Sequence, residues 1–233
     1  MQKTKILLCG NDIVESIKKH SLLELKLFYN MIYYHKAMTK FWSEDCDYNA
    51  GYVEIPLSKL KDILGRKLSE SMIIALIDGL PREIKLKNLK GQNVGFVSIY
   101  KYVHYDEFEQ ILWFELNDTF VELIGYNISN FTELELNEFS KLKSTYSQRL
   151  YEMYKQYSGA DGKQGQGNYN MPRAYFYDYF NVSETTNISE VLRIGIDKGI
   201  KELKEKCNFN IEYEKKKKGN SITHIQFKFK KVG

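Results

Sequence analysis

The feature that most restricts this chain is an order of short, sharply punctuated segments that occurs twice. In the first occurrence Ser21 with Glu24 three residues on forms a capping box, and Leu25, Phe28 and Ile32 fall on one helical stripe. An acidic stretch, Glu44-Asp45-Cys46-Asp47, precedes Tyr52-Val53-Glu54-Ile55, which reads as a short strand ended by Pro56. Ser58 is placed to cap a short helix through Leu64 that Gly65 terminates. A further helix is predicted from about Ser69 to Leu80, stopped by Pro81. Alternating stretches follow, Val94 to Tyr105 and Gln110 to Leu116, with a polar turn at Asp106-Glu107.

The second occurrence opens with Thr132 and Glu135, another capping box, and a predicted helix to about Tyr157. Phe139, Leu142, Tyr146, Leu150, Met153 and Tyr157 step by three or four, a core-facing stripe. Lys141, Ser144, Gln148 and Lys155 are expected opposite it, with Lys143 and Arg149 on its flanks. Gly159 to Asn170 reads as a glycine-rich loop, and Arg173 to Tyr179 as a short element. A long helix from about Ile188 to Lys206 leads to a hairpin: Phe209 to Glu214, a turn over Lys215 to Asn220, then Ile222 to Lys230. In the last strand Thr223, Ile225, Phe227 and Phe229 are expected on one face, with Ile222, His224 and Gln226 on the other. Helix, short strand, helices and hairpin are the order of a winged helix-turn-helix. The expected fold class is α+β, with domains at residues 10–127 and 128–233.

Several function classes fall away. Of the 233 residues, 43% are hydrophobic and 27% charged, a soluble globular balance. The longest apolar run, Met72 to Ile77, is too short to cross a bilayer. The basic start is followed only by Ile6-Leu7-Leu8-Cys9, so no secretory signal is expected. Cys9, Cys46 and Cys207 are widely spaced, which argues against a disulfide framework and for a cytoplasmic protein. His20, His35, His104 and His224 stand apart, without metal-ligand spacing. In the loop from Gly159 to Gly167, Gln164 occupies the place where a phosphate-binding loop needs Ser or Thr. No catalytic residue, metal or cofactor is expected.

The charge distribution has two readings, a solvated lysine face, which charge alone favours, and a tail end that meets a polyanion. Residues 201–233 hold ten lysines against four acids, a surplus of six, whereas the rest of the chain sums to −2. Lys215, Lys216, Lys217 and Lys218 are placed to neutralise phosphates at the hairpin tip. The preceding helix is expected to bury Leu192, Ile196, Gly199, Leu203 and Cys207, and to present Ser189, Arg193, Lys198 and Lys201. Arg193 is the candidate base reader, since a guanidinium pairs bidentately with guanine. Arg173 joins the candidate DNA contacts.

The run from Leu142 to Tyr157 (Leu142-Lys143-Ser144-Thr145-Tyr146-Ser147-Gln148-Arg149-Leu150-Tyr151-Glu152-Met153-Tyr154-Lys155-Gln156-Tyr157) resembles the signature helix of the Rep_3 family of plasmid replication initiators. Phe131-Thr132, Gly199-Ile200-Lys201-Glu202-Leu203, Ile211-Glu212-Tyr213-Glu214 and Ile225-Gln226-Phe227 also match that family, and the first half fits more loosely. The resemblance implies two tandem winged-helix domains related by internal duplication. It implies a bacterial, non-enzymatic protein that binds duplex DNA at origin repeats (iterons) and initiates plasmid replication. Host replication initiator and helicase proteins are the implied partners, with a possible homodimer through the first domain and repression of its own gene. Lys143, Ser144 and Arg149 would lie near backbone phosphates, and Arg193 with Lys198 would enter the groove. Ile194 stands where the family often carries a second basic residue, and Gly199 where it often has alanine. The alternatives are a winged-helix transcriptional repressor without an initiation role and a nicking or strand-transfer enzyme using a tyrosine.

Overall fold

Ser21 and Glu24 do close a capping box: the Ser21 amide donates to Glu24 Oε2 at 2.8 Å and the Glu24 amide to Ser21 Oγ at 3.4 Å. The computed structural model describes residues 6–17, 19–42, 52–65, 68–87, 93–126, 131–158 and 166–231. The acidic stretch at 44–47 and the glycine-rich residues 159–165 lie outside them. The chain divides into two units, Met1–Phe131 with Glu135–Ser140, and Thr132–Leu134 with Lys141–Gly233.

In the first unit β1 (Ile6–Gly10) and α1 (Asn11–Ser16) lead into α2 (Leu22–Trp42). Leu25, Phe28 and Ile32 of α2 are buried as expected. Then come β2 (Tyr52–Pro56), α3 (Leu57–Leu64) and α4 (Glu70–Asp78). Pro56, not Ser58, is the N-cap of α3, and no side chain bonds there. Gly65 ends α3 at φ 68, a left-handed conformation that a Cβ would strain. A hairpin, β3 (Glu83–Lys87) with β4 (Asn93–Ser98), precedes β5 (Tyr100–Asp106), β6 (Ile111–Leu116) and α5 (Asp118–Tyr126). The expected continuous run from Val94 to Tyr105 is therefore two strands. Buried Ile99 divides them, its amide donating to Arg82 O and its carbonyl accepting from the Asn117 amide. Val53, Ile55, Leu112 and Phe114 supply one buried sheet face, each burial worth roughly 1.5–3 kcal/mol.

Strand β7 (Phe131–Glu135) and the single turn α6 (Leu136–Phe139) precede α7 (Thr145–Tyr157). This corrects the expected single helix from Thr132. Residues 140–144 break it, and the Ser144 hydroxyl starts a new helix by accepting the Tyr146 amide at 3.1 Å. The second unit continues with β8 (Gln166–Pro172), α8 (Arg173–Tyr179), α9 (Ile188–Val191), a π-turn (Leu192–Ile196), α10 (Asp197–Cys207), β9 (Phe209–Lys218) and β10 (Ser221–Lys231). Residues 166–170, expected as loop, are strand because they pair antiparallel with β10, Met171 opposite Ile225 and Tyr169 opposite Phe227.

The duplication is legible in the strand order. The first unit's sheet runs β2-β6-β5 and the second's β8-β10-β9, the same arrangement of first, third and second strand. In both, the first strand ends on a proline that caps the following helix, Pro56 (φ −60, ψ 149) and Pro172 (φ −59, ψ 145). Proline suits that place because its fixed φ and missing N–H cost nothing at a helix start.

Candidate nucleic-acid interface

Helix α9, the π-turn and α10 form one continuous helical run, and its exposure pattern decides what it can present. Asn187 caps it by accepting the Ser189 amide. Leu192, Ile196, Gly199, Leu203 and Cys207 are buried as expected, and Ser189, Arg193, Lys198 and Lys201 are exposed. Exposed pairs recur every four residues: Ser189-Glu190, Arg193-Ile194, Asp197-Lys198. An α-helix turns once per 3.6 residues, so such pairs would drift round the axis. The π-turn, in which the Asp197 amide donates to Leu192 O, underwinds the run and keeps the pairs in line. The result is one ridge of side chains over two turns.

The run packs against α7 at two glycines. A Cβ on Gly195 would lie 2.5 Å from Tyr146 Cζ, and one on Gly199 2.9 Å from Leu150 Cδ1 and 3.1 Å from the Ser147 amide. Both glycines thus let the helices approach closely. Glu202 fastens the same contact, accepting from the Lys143 amide (2.8 Å), Ser147 Oγ (2.7 Å) and Lys206 Nζ (2.5 Å). Burial pushes the Glu202 carboxyl up, but these three bonds outweigh it and hold it below the ordinary value.

The wing differs from the expected lysine turn. Lys215 to Lys218 continue β9, and only Gly219 and Asn220 form the turn, with Lys218 opposite Ser221. Gly219 takes φ 61, the conformation a two-residue hairpin demands. Thr223 is the extra residue of a bulge between Ile222 and His224, so the alternation of β10 is regular only beyond it, with Ile225, Phe227 and Phe229 buried. Strand alternation splits the lysines. Lys215, opposite Ile225, and Lys217 share the face of Ile211 and Tyr213, the face turned to the helices. Lys216 and Lys218 share the other face with Glu212 and Glu214. There Glu214 bonds Lys216 at 3.0 Å and also Lys228, while Glu212 pairs with Lys230 at 3.3 Å. Lys228, then Lys216, hold the Glu214 carboxyl below its ordinary value. Lys216, Lys228 and Lys230 thus form an ion-pair ladder with Glu212 and Glu214 on the outer face, whereas Lys215, Lys217 and Lys218 meet no described carboxylate.

A cleft of about 400 Å³ opens between the start of the helical run and the wing, lined by Arg173, Asn187, Ser189, Asn220 and Ser221. The structure thus brings Arg173 and Ser189 together; the Arg173 guanidinium also lies 5.6 Å from the Tyr177 ring centre. Lys201 sits one turn beyond Asp197, its ammonium 3.9 Å from Glu205. Lys143 is exposed, and Ser144 is half-buried with its hydroxyl committed to the cap.

Arg149 is a correction. It is 1% exposed and its guanidinium meets Glu152 at 2.8 Å, so it is a core ion pair and cannot reach a phosphate. Gln148, expected on the polar face, is buried too. Ser147 to Tyr154 are buried all round the helix, a property that a one-sided apolar stripe does not announce. Sequence reasoning also passed over Asn187, Asp197, Tyr213 and Asn220. Their signal is position alone: a cap, a ridge register and a turn.

Among the described residues, the first unit lacks these features. Its equivalent helix α4 exposes Glu70, Ser71, Ile74 and Asp78 and contains no cation. Its hairpin tip, Asp106 to Gln110, is acidic and carries Phe108, 93% exposed. The equivalent helix and hairpin are basic, among the described residues, in the second unit only. Among the described residues, no helix is long and apolar enough to cross a membrane.

Comparison with known proteins also finds two parts, the first running past the unit boundary into α7. A family model described as "Initiator Replication protein, WH1" matches residues 9–155, and one described as "Initiator Rep protein, WH2" matches residues 180–229. No curated protein sequence matches the chain. Among solved structures, the Pi initiator protein in complex with iteron DNA aligns at a TM-score of 0.64 and 17% identity, over 98% of each chain. Domains 2 and 3 of RctB align at a TM-score of 0.50 and 7% identity, over 91% of this chain and 83% of that one. The chain therefore carries two winged-helix domains.

Proposed function

The chain belongs to the initiator replication protein family, and from that premise we propose that its second winged-helix domain reads direct repeats (iterons) in a bacterial plasmid origin. The observation that carries this is the ridge Ser189–Arg193–Asp197 standing beside Lys215 and Lys217 on the wing face turned toward it. A helix of this width fits the major groove, and Arg193 can reach guanine O6 and N7 while the wing lysines meet flanking phosphates. Lys198, Lys201, Lys143, Arg173 and Ser189 add backbone contacts around it. The likeness to an initiator bound to iteron DNA supports the same ligand here.

In this reading the first domain, residues 10–127, mediates dimerisation and a subsidiary DNA contact. Residues 128–233 are the main reader, and the protein works in the cytoplasm with host initiator and helicase proteins. It performs no bond-breaking chemistry itself. Fluorescence anisotropy with repeats from the replicon encoding the protein, against shuffled duplexes at matched salt, tests the binding. Maintenance of an origin-bearing plasmid by protein supplied in trans tests initiation. Equal affinity for repeat and shuffled DNA overturns the reading, as does a covalent adduct with supercoiled origin DNA and magnesium. A protein that binds the repeats yet never sustains the plasmid is a repressor.

A further inference from the structure

We propose that Asp197 is a base-specifying residue: its carboxylate, held in place by Tyr213, accepts a hydrogen bond from the exocyclic amine of a cytosine in the major groove. This rests on the groove reading above and extends it to a residue of the wrong charge for a polyanion. Asp197 is exposed and stands four residues after Arg193 in the line that the π-turn straightens. Whatever brings Arg193 to a base edge therefore brings Asp197 to the neighbouring one.

An exposed carboxylate at that place meets an unfavourable field unless it receives a donor. Among base edges in the major groove, cytosine offers N4–H2, while guanine offers only acceptors and thymine an acceptor and a methyl group. Adenine N6 is flanked by its N7 acceptor, which repels a carboxylate. Cytosine is the base that fits. An Arg193–guanine contact beside an Asp197–cytosine contact would also read two base edges of opposite hydrogen-bonding character.

The side chain is pre-set for this. The Tyr213 hydroxyl donates to Asp197 Oδ1 at 2.9 Å, leaving Oδ2 without a described partner. Tyr213 is fixed in turn, opposite Phe227 on β10 with ring centres 6.3 Å apart. Burial, then its bond to Asp197, pushes the Tyr213 hydroxyl up to about 12, so it stays a donor at neutral pH. Tyr213 is thus a positioning residue, and the helix and wing are tied together through the side chain that meets the base.

The competing account makes the pair a mere staple between helix and wing, and a selection experiment separates the two. The full-length protein is equilibrated with duplexes carrying one repeat randomised position by position, and the bound fraction is sequenced. The wild type should prefer cytosine at one position by roughly ten-fold. Asp197→Asn keeps an oxygen for Tyr213 and gains an amide suited to adenine N6 and N7, so the preference at that position should move to adenine. Tyr213→Phe should weaken the cytosine preference there and leave the other positions unchanged. Retention of the cytosine preference by Asp197→Asn, or a uniform loss of affinity in both variants, overturns the proposal. A wild-type protein with no preference anywhere overturns the groove reading itself, and this inference with it.

Discussion

The two faces of the wing give a prediction with a definite size. Each phosphate neutralised by a lysine contributes about −0.9 to the slope of log affinity against log salt. Four lysines in a flexible turn would contribute jointly, and any two could be exchanged for any other two. In the structure they alternate: Lys215 and Lys217 share the face of Tyr213, which bonds Asp197 on the helical ridge, while Lys216, paired with Glu214, and Lys218 lie on the opposite face. Replacing Lys215 and Lys217 together by alanine should make the slope shallower by about 1.8. The advantage of wild type over that variant should then shrink roughly ten-fold between 50 and 200 mM salt. Replacing Lys216 and Lys218 removes charges that face Glu214 or solvent, and should change the slope by less than about half as much. The assay is anisotropy titration of one iteron duplex at four or five salt concentrations, with unfolding curves to show that both variants are folded. Equal slope changes in the two pairs, or a larger one for Lys216 and Lys218, would refute the assignment of faces.

Further predictions concern the scaffold. Arg149→Ala leaves the buried Glu152 carboxylate without that partner and should cost about 3–5 kcal/mol in urea unfolding; a folded variant with a changed salt slope would return Arg149 to the DNA surface. Gly195→Ala drives a Cβ into the Tyr146 ring, which stacks on Phe180 at 5.9 Å, so it should destabilise by about 1–3 kcal/mol despite the alanine's better helix propensity. A second change, Tyr146→Leu, should recover part of that loss, and strictly additive losses would show that the contact is not the cause. Because the folded Glu202 pKa lies below its ordinary value of 4.5, its contribution is present above that pH and lost as pH falls through the folded value. Glu202→Gln should therefore flatten the acid limb of stability measured between about pH 3 and 6, and an unchanged limb would exclude the carboxylate as its source.

Much of the fold was legible because short segments carried their own punctuation. The Ser21–Glu24 box, the stop at Gly65, the helix start near Ser69 and the buried face of the helical run around Leu192 and Leu203 needed no partner to be seen. What failed depends on distant pairing. Gln166 to Asn170 look like loop because their polar residues alternate with Gly167 and Tyr169 and become strand only opposite β10. Thr132 and Glu135 have capping-box spacing, yet the chain there is extended and the helix begins at Ser144. Arg149 fails for a related reason: a charged residue beside an apolar stripe is read as exposed, and only the tertiary burial of α7 on all sides reverses that. The site divides the same way. Ser189, Arg193, Lys198 and Lys201 followed from helical period, whereas the ridge that Asp197 joins depends on a π-turn that no residue pattern signals.

The central claim is that the helical run through Arg193 lies in the major groove of a repeated duplex. Methylation interference at guanine N7, a major-groove atom that Arg193 would contact, tests it most directly. The account predicts one or more guanines per repeat whose methylation blocks binding, at the same place in every repeat, with at least one losing that effect in Arg193→Ala. Repeat-specific binding that no guanine N7 methylation disturbs, or an interference pattern that Arg193→Ala leaves unchanged, would contradict it.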